Sequence, residues 1–76
     1  MNKRRSRKNS KVRYLRLMNN MTLSELAYAI NMDRMHLDRI EMGVLPCTEE
    51  KARLIAEYFD IPNDYEKLIT RPVEYA

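Results

Sequence analysis

The stretch that most constrains this chain is residues 22–43, TLSELAYAINMDRMHLDRIEMG. It predicts two short helices joined by a tight turn. Thr22 can cap the first helix, because its hydroxyl accepts from an amide that has no partner at a helix start. Leu26, Ala27 and Ile30 then recur at helical spacing. Asn31 follows, one of the few residues besides glycine that enters the left-handed region at little cost. Asp33 can cap a second helix, whose inner stripe is Leu37 and Ile40 and whose left-handed stop is Gly43.

Small Ala27, four residues before the turn residue, lets the two helices approach closely. An ordinary helical hairpin needs only the apolar stripe. Stripe, small residue, turn residue and two caps together describe a helix-turn-helix. The segment resembles the lambda-repressor and Cro-like (XRE-type) family, whose pattern runs T-Q-x-x-L-A-x-x-h-G-h-s-x-x-x-h-x-x-h-E-x-G-x-x-x-P, with h apolar. Thr22, Leu26, Ala27, Ile30, Met32, Leu37, Ile40, Glu41 and Gly43 match it, as does Pro46 after a loop shorter by one residue. Upstream, Val12, Arg13, Tyr14, Leu15 and Arg16 fit the family's first helix, so the resemblance covers about residues 11–69. It implies an all-α, compact five-helix domain.

Seventy-six residues amount to one domain near the lower size limit for a self-sufficient core. A single glycine and abundant Ala, Leu, Met, Glu, Lys and Arg agree with an all-helical fold. No uncharged stretch approaches the length that crosses a membrane, and no apolar run follows the basic start as in a signal peptide. The lone Cys47 has no partner for an internal disulfide, which suits a reducing compartment. The expected location is the bacterial cytoplasm or nucleoid, with no membrane contact.

The net charge of +3 conceals a segregation. Residues 1–21 carry Lys3, Arg4, Arg5, Arg7, Lys8, Lys11, Arg13 and Arg16 and no acid. Residues 22–44 set Arg34 and Arg39 against Glu25, Asp33, Asp38 and Glu41, and residues 45–76 are acidic as well. One basic end on a mildly acidic body suits a protein that presents one face to a polyanion.

Residues 1–9 lack apolar periodicity and read as a flexible basic arm. Lys3, Arg4, Arg5, Arg7, Lys8 and Lys11 are its candidate contacts to phosphate or to a minor groove, where released counterions supply affinity without sequence choice. A solubilising tail is the alternative. Ser10 is placed to cap a first helix over residues 10–19, with Val12, Leu15 and Arg16 on one face. Asn20 can take the same left-handed stop as Asn31. The family resemblance implies that Arg16 pairs with Glu41 as a structural ion pair.

The same resemblance makes residues 33–42 the recognition helix, and helices of this kind present their N-terminal residues to base edges. The family's base-contacting positions map onto Arg34, Met35 and Arg39, with Thr22, His36 and Asp38 as additional candidates. Arginine can donate two hydrogen bonds to guanine, and Met can pack on thymine methyls. The chain departs from the family at several positions, and Met42 and Asp33 add nothing to phosphate binding. Leu23 stands where a phosphate-contacting Gln is common, and the often basic loop after Gly43 reads Val44, Leu45, Pro46, Cys47. That apolar loop is either covered core or a contact for a protein partner through Val44 and Leu45.

Thr48 can cap a fourth helix with Ala52, Ile55, Ala56 and Phe59 inside, ended by Asp60, Ile61 and Pro62. Asn63 and Glu66 have capping-box spacing for a fifth helix reaching Thr70. In the family the last helix commonly forms the dimer contact, which makes Leu68, Ile69 and Val73 candidates. They can equally close the core. Residues 10–70 are thus the domain and residues 71–76 an extended tail.

No phosphate loop, nucleophile elbow or Cys/His pairing is present, and the lone His36 has no clustered ligands, so neither an enzyme nor a metal or cofactor site is expected. The expected function is sequence-specific binding of double-stranded DNA by a transcriptional regulator of phage or mobile-element type, as a homodimer. The alternatives are a protein-binding module that inhibits or recruits a nucleic-acid enzyme, or a replication or recombination accessory factor.

Overall fold

The computed structural model describes residues 11–70. The arm, Ser10, Val73 and the rest of the tail lie outside them. Four α-helices follow in order: α1 (Lys11–Met18), α2 (Leu23–Ala29), α3 (Arg34–Glu41) and α4 (Glu49–Tyr58), with a 3-10 helix at Pro62–Leu68. No strand occurs among the described residues; one antiparallel bridge joins Cys47 to Thr70.

These helices have seven to ten residues and would be marginal alone. Their ends are therefore satisfied locally. Thr22 accepts from the Glu25 amide (3.0 Å) while the Glu25 carboxylate accepts from the Thr22 amide (2.8 Å), a reciprocal capping box. Thr48 Oγ1 accepts from Lys51 at 3.4 Å.

All four α-helices stop in the same way. Asn20, Asn31, Gly43 and Asp60 take φ of 55°, 54°, 82° and 63°. Each donates its amide three residues back, and the next residue donates five back: Met21 to Arg16, Met32 to Ala27, Val44 to Arg39 and Ile61 to Ala56. These four Schellman stops satisfy carbonyls that the helices leave open. Each reverses the chain within about three residues, which makes the connections tight. The fourth helix thus ends on left-handed Asp60, two residues before the proline at 62.

The core joins Val12 of α1, Leu26, Ala27 and Ile30 of the second segment, Leu37 and Ile40 of α3, Ala52, Ile55 and Ala56 of α4, Cys47 and Leu68. Leu15, Leu23, Leu45, Phe59 and Tyr65 pack against it. The expected α-helix with an Asn63 cap is corrected. Pro62–Leu68 is 3-10, Ile61 holds the cap position, and no side chain caps it. This segment is confined between the Asp60 stop and the bridge at Thr70. Arg53 also pins it, donating to Tyr65 Oη at 2.9 Å with its guanidinium carbon 4.1 Å from that ring's centre.

Leu68 is 2% exposed. It packs in the core of the single chain, and of the described dimer-contact candidates Ile69 is the one that reaches the surface.

Candidate nucleic-acid interface

α3 is positioned by its two ends and its inner face. Asp33 accepts from the His36 amide at 3.1 Å and fixes the helix start. Leu37 and Ile40 are buried in the core, and so is Glu41, which meets Arg16 of α1. Arg16 Nε donates to Glu41 Oε2 at 2.8 Å and Nη2 to Oε1 at 2.9 Å, while Nη1 donates to the Met21 carbonyl at 3.0 Å. The Glu41 hydrogen bond raises the Arg16 pKa against the opposing effect of burial, and the nearby negative charge of Asp38 adds to it. All of these anchors lie on one side of the helix.

The opposite side is open. At 100° per residue the pole facing away from Leu37, Ile40 and Glu41 falls on Met35, with Arg39 and Met42 beside it, Asp38 and His36 on its flanks, and Arg34 farther round, in the first turn of the helix. Met35 is 58% exposed, and Arg34 is exposed too. Neither Arg34 nor Arg39 forms an ion pair among the described residues. Their guanidinium forks are thus open to an outside acceptor. Asp38 lies on the flank nearer Arg16. Thr22 stands at the start of α2, its oxygen already accepting from Glu25, so only its hydroxyl proton remains to give. Lys11 is exposed at the start of α1.

The loop after α3 is divided. Leu45 is half-buried against the core, and Cys47 is buried, with its amide donating to Thr70 Oγ1 at 3.2 Å. Val44 is 56% exposed and adjoins the Met35 and Met42 face in sequence. The apolar loop is thus covered core at two positions and open surface at one. Burial pushes the Cys47 thiol up to about 11, which keeps it protonated and inert at neutral pH.

Three features lie beyond the expectations drawn from sequence. The capping box was legible as Thr22 and Glu25 at the required spacing. The bond from Arg16 to the Met21 carbonyl is local, five residues across the α1 stop, whereas the bridge at Thr70 had no local signal, since it depends on how distant segments pack. Among the described residues no group of His, Cys, Asp and Glu could hold a metal ion, and no helix is long and apolar enough to cross a membrane.

A family model described as helix-turn-helix matches residues 12–65. Comparison with curated proteins and with solved structures returns no match.

Proposed function

The chain belongs to the helix-turn-helix family of DNA-binding regulators, of the lambda-repressor (XRE) type, and on that premise we propose that it is a transcriptional regulator that reads DNA sequence with α3. The observation that carries this reading is the open side of α3, where exposed Met35 lies beside Arg39 and exposed Arg34 stands at the helix start, neither arginine in an ion pair among the described residues. In a major groove the arginines give bidentate contacts to guanine, and Met35 packs on thymine methyls. Thr22, His36 and Asp38 border the same contact. Lys3, Arg4, Arg5, Arg7, Lys8 and Lys11 hold phosphates or enter the minor groove, adding affinity without sequence choice. Two copies on a two-fold axis read half-sites about one helical turn apart. The assignment to the phage or mobile-element type rests on fold-level analogy alone.

The test is selection from a random DNA pool at two salt concentrations, using the full chain, Arg34→Ala/Arg39→Ala, and a chain lacking residues 1–9. An enriched motif that the double substitution erases, and that trimming weakens without altering, is the expected result. No enrichment, or a motif indifferent to both arginines, overturns the reading.

A second reading has one observation in its favour. Met35, Met42 and Val44 are 58%, 40% and 56% exposed on one end of the domain, an apolar surface that suits a protein partner. Val44→Ser tests it cleanly, because Leu45 also serves the core. Intact DNA discrimination with a lost partner supports the second reading.

A further inference from the structure

Met35, Arg39 and Met42 follow one another at i, i+4 and i+7, and all three are exposed, so they form one line along the open side of α3. Met35 and Arg39 stand about 6 Å apart along the helix axis and about 40° apart around it. Their side chains therefore leave the helix in nearly the same direction. The Arg39 fork is flanked along this line by two thioethers, which are apolar and deformable. It forms no ion pair among the described residues. The adjoining acid, Asp38, lies about 100° round the helix, on the side where its charge acts on Arg16.

In zinc-finger helices, residues about one turn apart contact successive bases of the major groove. The spacing of Met35 and Arg39 gives them the same reach. A bidentate arginine takes O6 and N7 of guanine. Met35 then lies against the next base pair, where the apolar group displayed in the groove is a methyl on pyrimidine C5. Thymine always carries that methyl. Cytosine acquires the same group at the same carbon when C5 is methylated, with its amino group and base pairing intact. Unmethylated cytosine offers a thioether no such contact.

We propose that Met35 and Arg39 together read a guanine whose neighbouring base pair carries a C5 methyl, and that 5-methylcytosine serves there as well as thymine. Cytosine methylation beside that guanine then raises the affinity of the protein for its site. The inference rests on the regulator reading, since it needs α3 in a major groove. It adds the class of base step that is read and a sensitivity to a DNA modification. One buried methyl corresponds to roughly fourfold in affinity.

Fluorescence anisotropy of the full chain on synthetic duplexes tests this, starting from the motif selected out of random DNA. Repeating the selection with Arg39→Ala identifies the guanine that Arg39 reads, as the position where preference for guanine is lost. The expected motif has thymine in a base pair next to that guanine. Exchanging this thymine for uracil, which removes only the methyl, weakens binding roughly fourfold. With cytosine at that position, 5-methylation strengthens binding by the same factor, roughly fourfold. Met35→Ala, at an exposed position, removes both differences, whatever affinity remains. Equal binding of thymine and uracil duplexes, or of methylated and unmethylated ones, overturns the proposal. So does a methyl effect that survives Met35→Ala, or a guanine preference unchanged by Arg39→Ala. In each of these cases an enriched motif that the double arginine substitution erases keeps the regulator reading standing. A pool with no enriched motif overturns both.

Discussion

Arg16 and Glu41, 25 residues apart, meet fork to fork with both partners buried, at 2.8 and 2.9 Å. The pair fastens α1 to the last turn of α3, and a third guanidinium nitrogen closes the α1 stop through the Met21 carbonyl. The presentation of the α3 outer face is therefore coupled to α1 by one side chain.

Removing one partner leaves a buried charge uncompensated. Glu41→Ala should lower unfolding free energy by ~3–5 kcal/mol in urea denaturation. Arg16→Met/Glu41→Leu should cost less than Glu41→Ala, since replacing both charges removes the desolvation penalty with them. A double variant less stable than the single one would assign the pair a net stabilising role.

At Asn31, φ is 54°. Asn31→Gly should be neutral or stabilising, whereas Asn31→Val should cost ~1–2 kcal/mol, because a branched Cβ collides with the backbone in the left-handed region. Thermal unfolding of the three chains measures this. Equal stability of the valine chain would mean that the turn relaxes to another conformation.

Thr22→Ala removes one half of a capping box that holds both the Thr22 and the Glu25 amides. A loss of ~1 kcal/mol is expected, read as a lower urea midpoint at unchanged slope. Amide exchange at Glu25 should quicken more than at Leu37, since the damage is local to the start of α2.

The Cys47 thiol titrates at about 11 in the folded chain against an ordinary 9.0. The folded state then holds more protons than the unfolded state between those values, so stability falls as pH rises through that window. The loss is ~2–3 kcal/mol at most. Cys47→Val should flatten the stability curve between pH 9.0 and about 11. An unchanged slope would place the alkaline loss on other groups.

If residues 1–9 bind phosphates, deleting them should reduce the salt dependence of DNA affinity, by nearly one unit of log–log slope for each phosphate the arm had neutralised. Arg34→Ala should leave that slope nearly intact and relax base preference instead. Fluorescence anisotropy across a salt series separates the two. A slope unaffected by the deletion would remove the arm from the interface.

Much of this domain is decided within a few residues of chain. The caps at Thr22, Asp33 and Thr48 and the left-handed stops at Asn20, Asn31 and Gly43 satisfy backbone groups of their own helix, so their donors and acceptors lie three to five positions apart and can be read in order. The apolar stripes are equally legible, because a helix projects its period directly onto the chain. What only the tertiary structure decided is the division of apolar residues between core and surface. Leu45 and Leu68 turn inward while Val44 and Ile69 reach solvent, and nothing in their immediate neighbours distinguishes them. The bridge from Cys47 to Thr70 makes that distinction, by drawing the loop after α3 and the end of the 3-10 helix together across 23 residues. Pro62–Leu68 is a 3-10 helix where local spacing favoured an α-helix, and its ring and its end are held by distant partners, Arg53 on Tyr65 and the same bridge at Thr70. Burial depends on which distant segments meet, and that choice belongs to the packed chain as a whole.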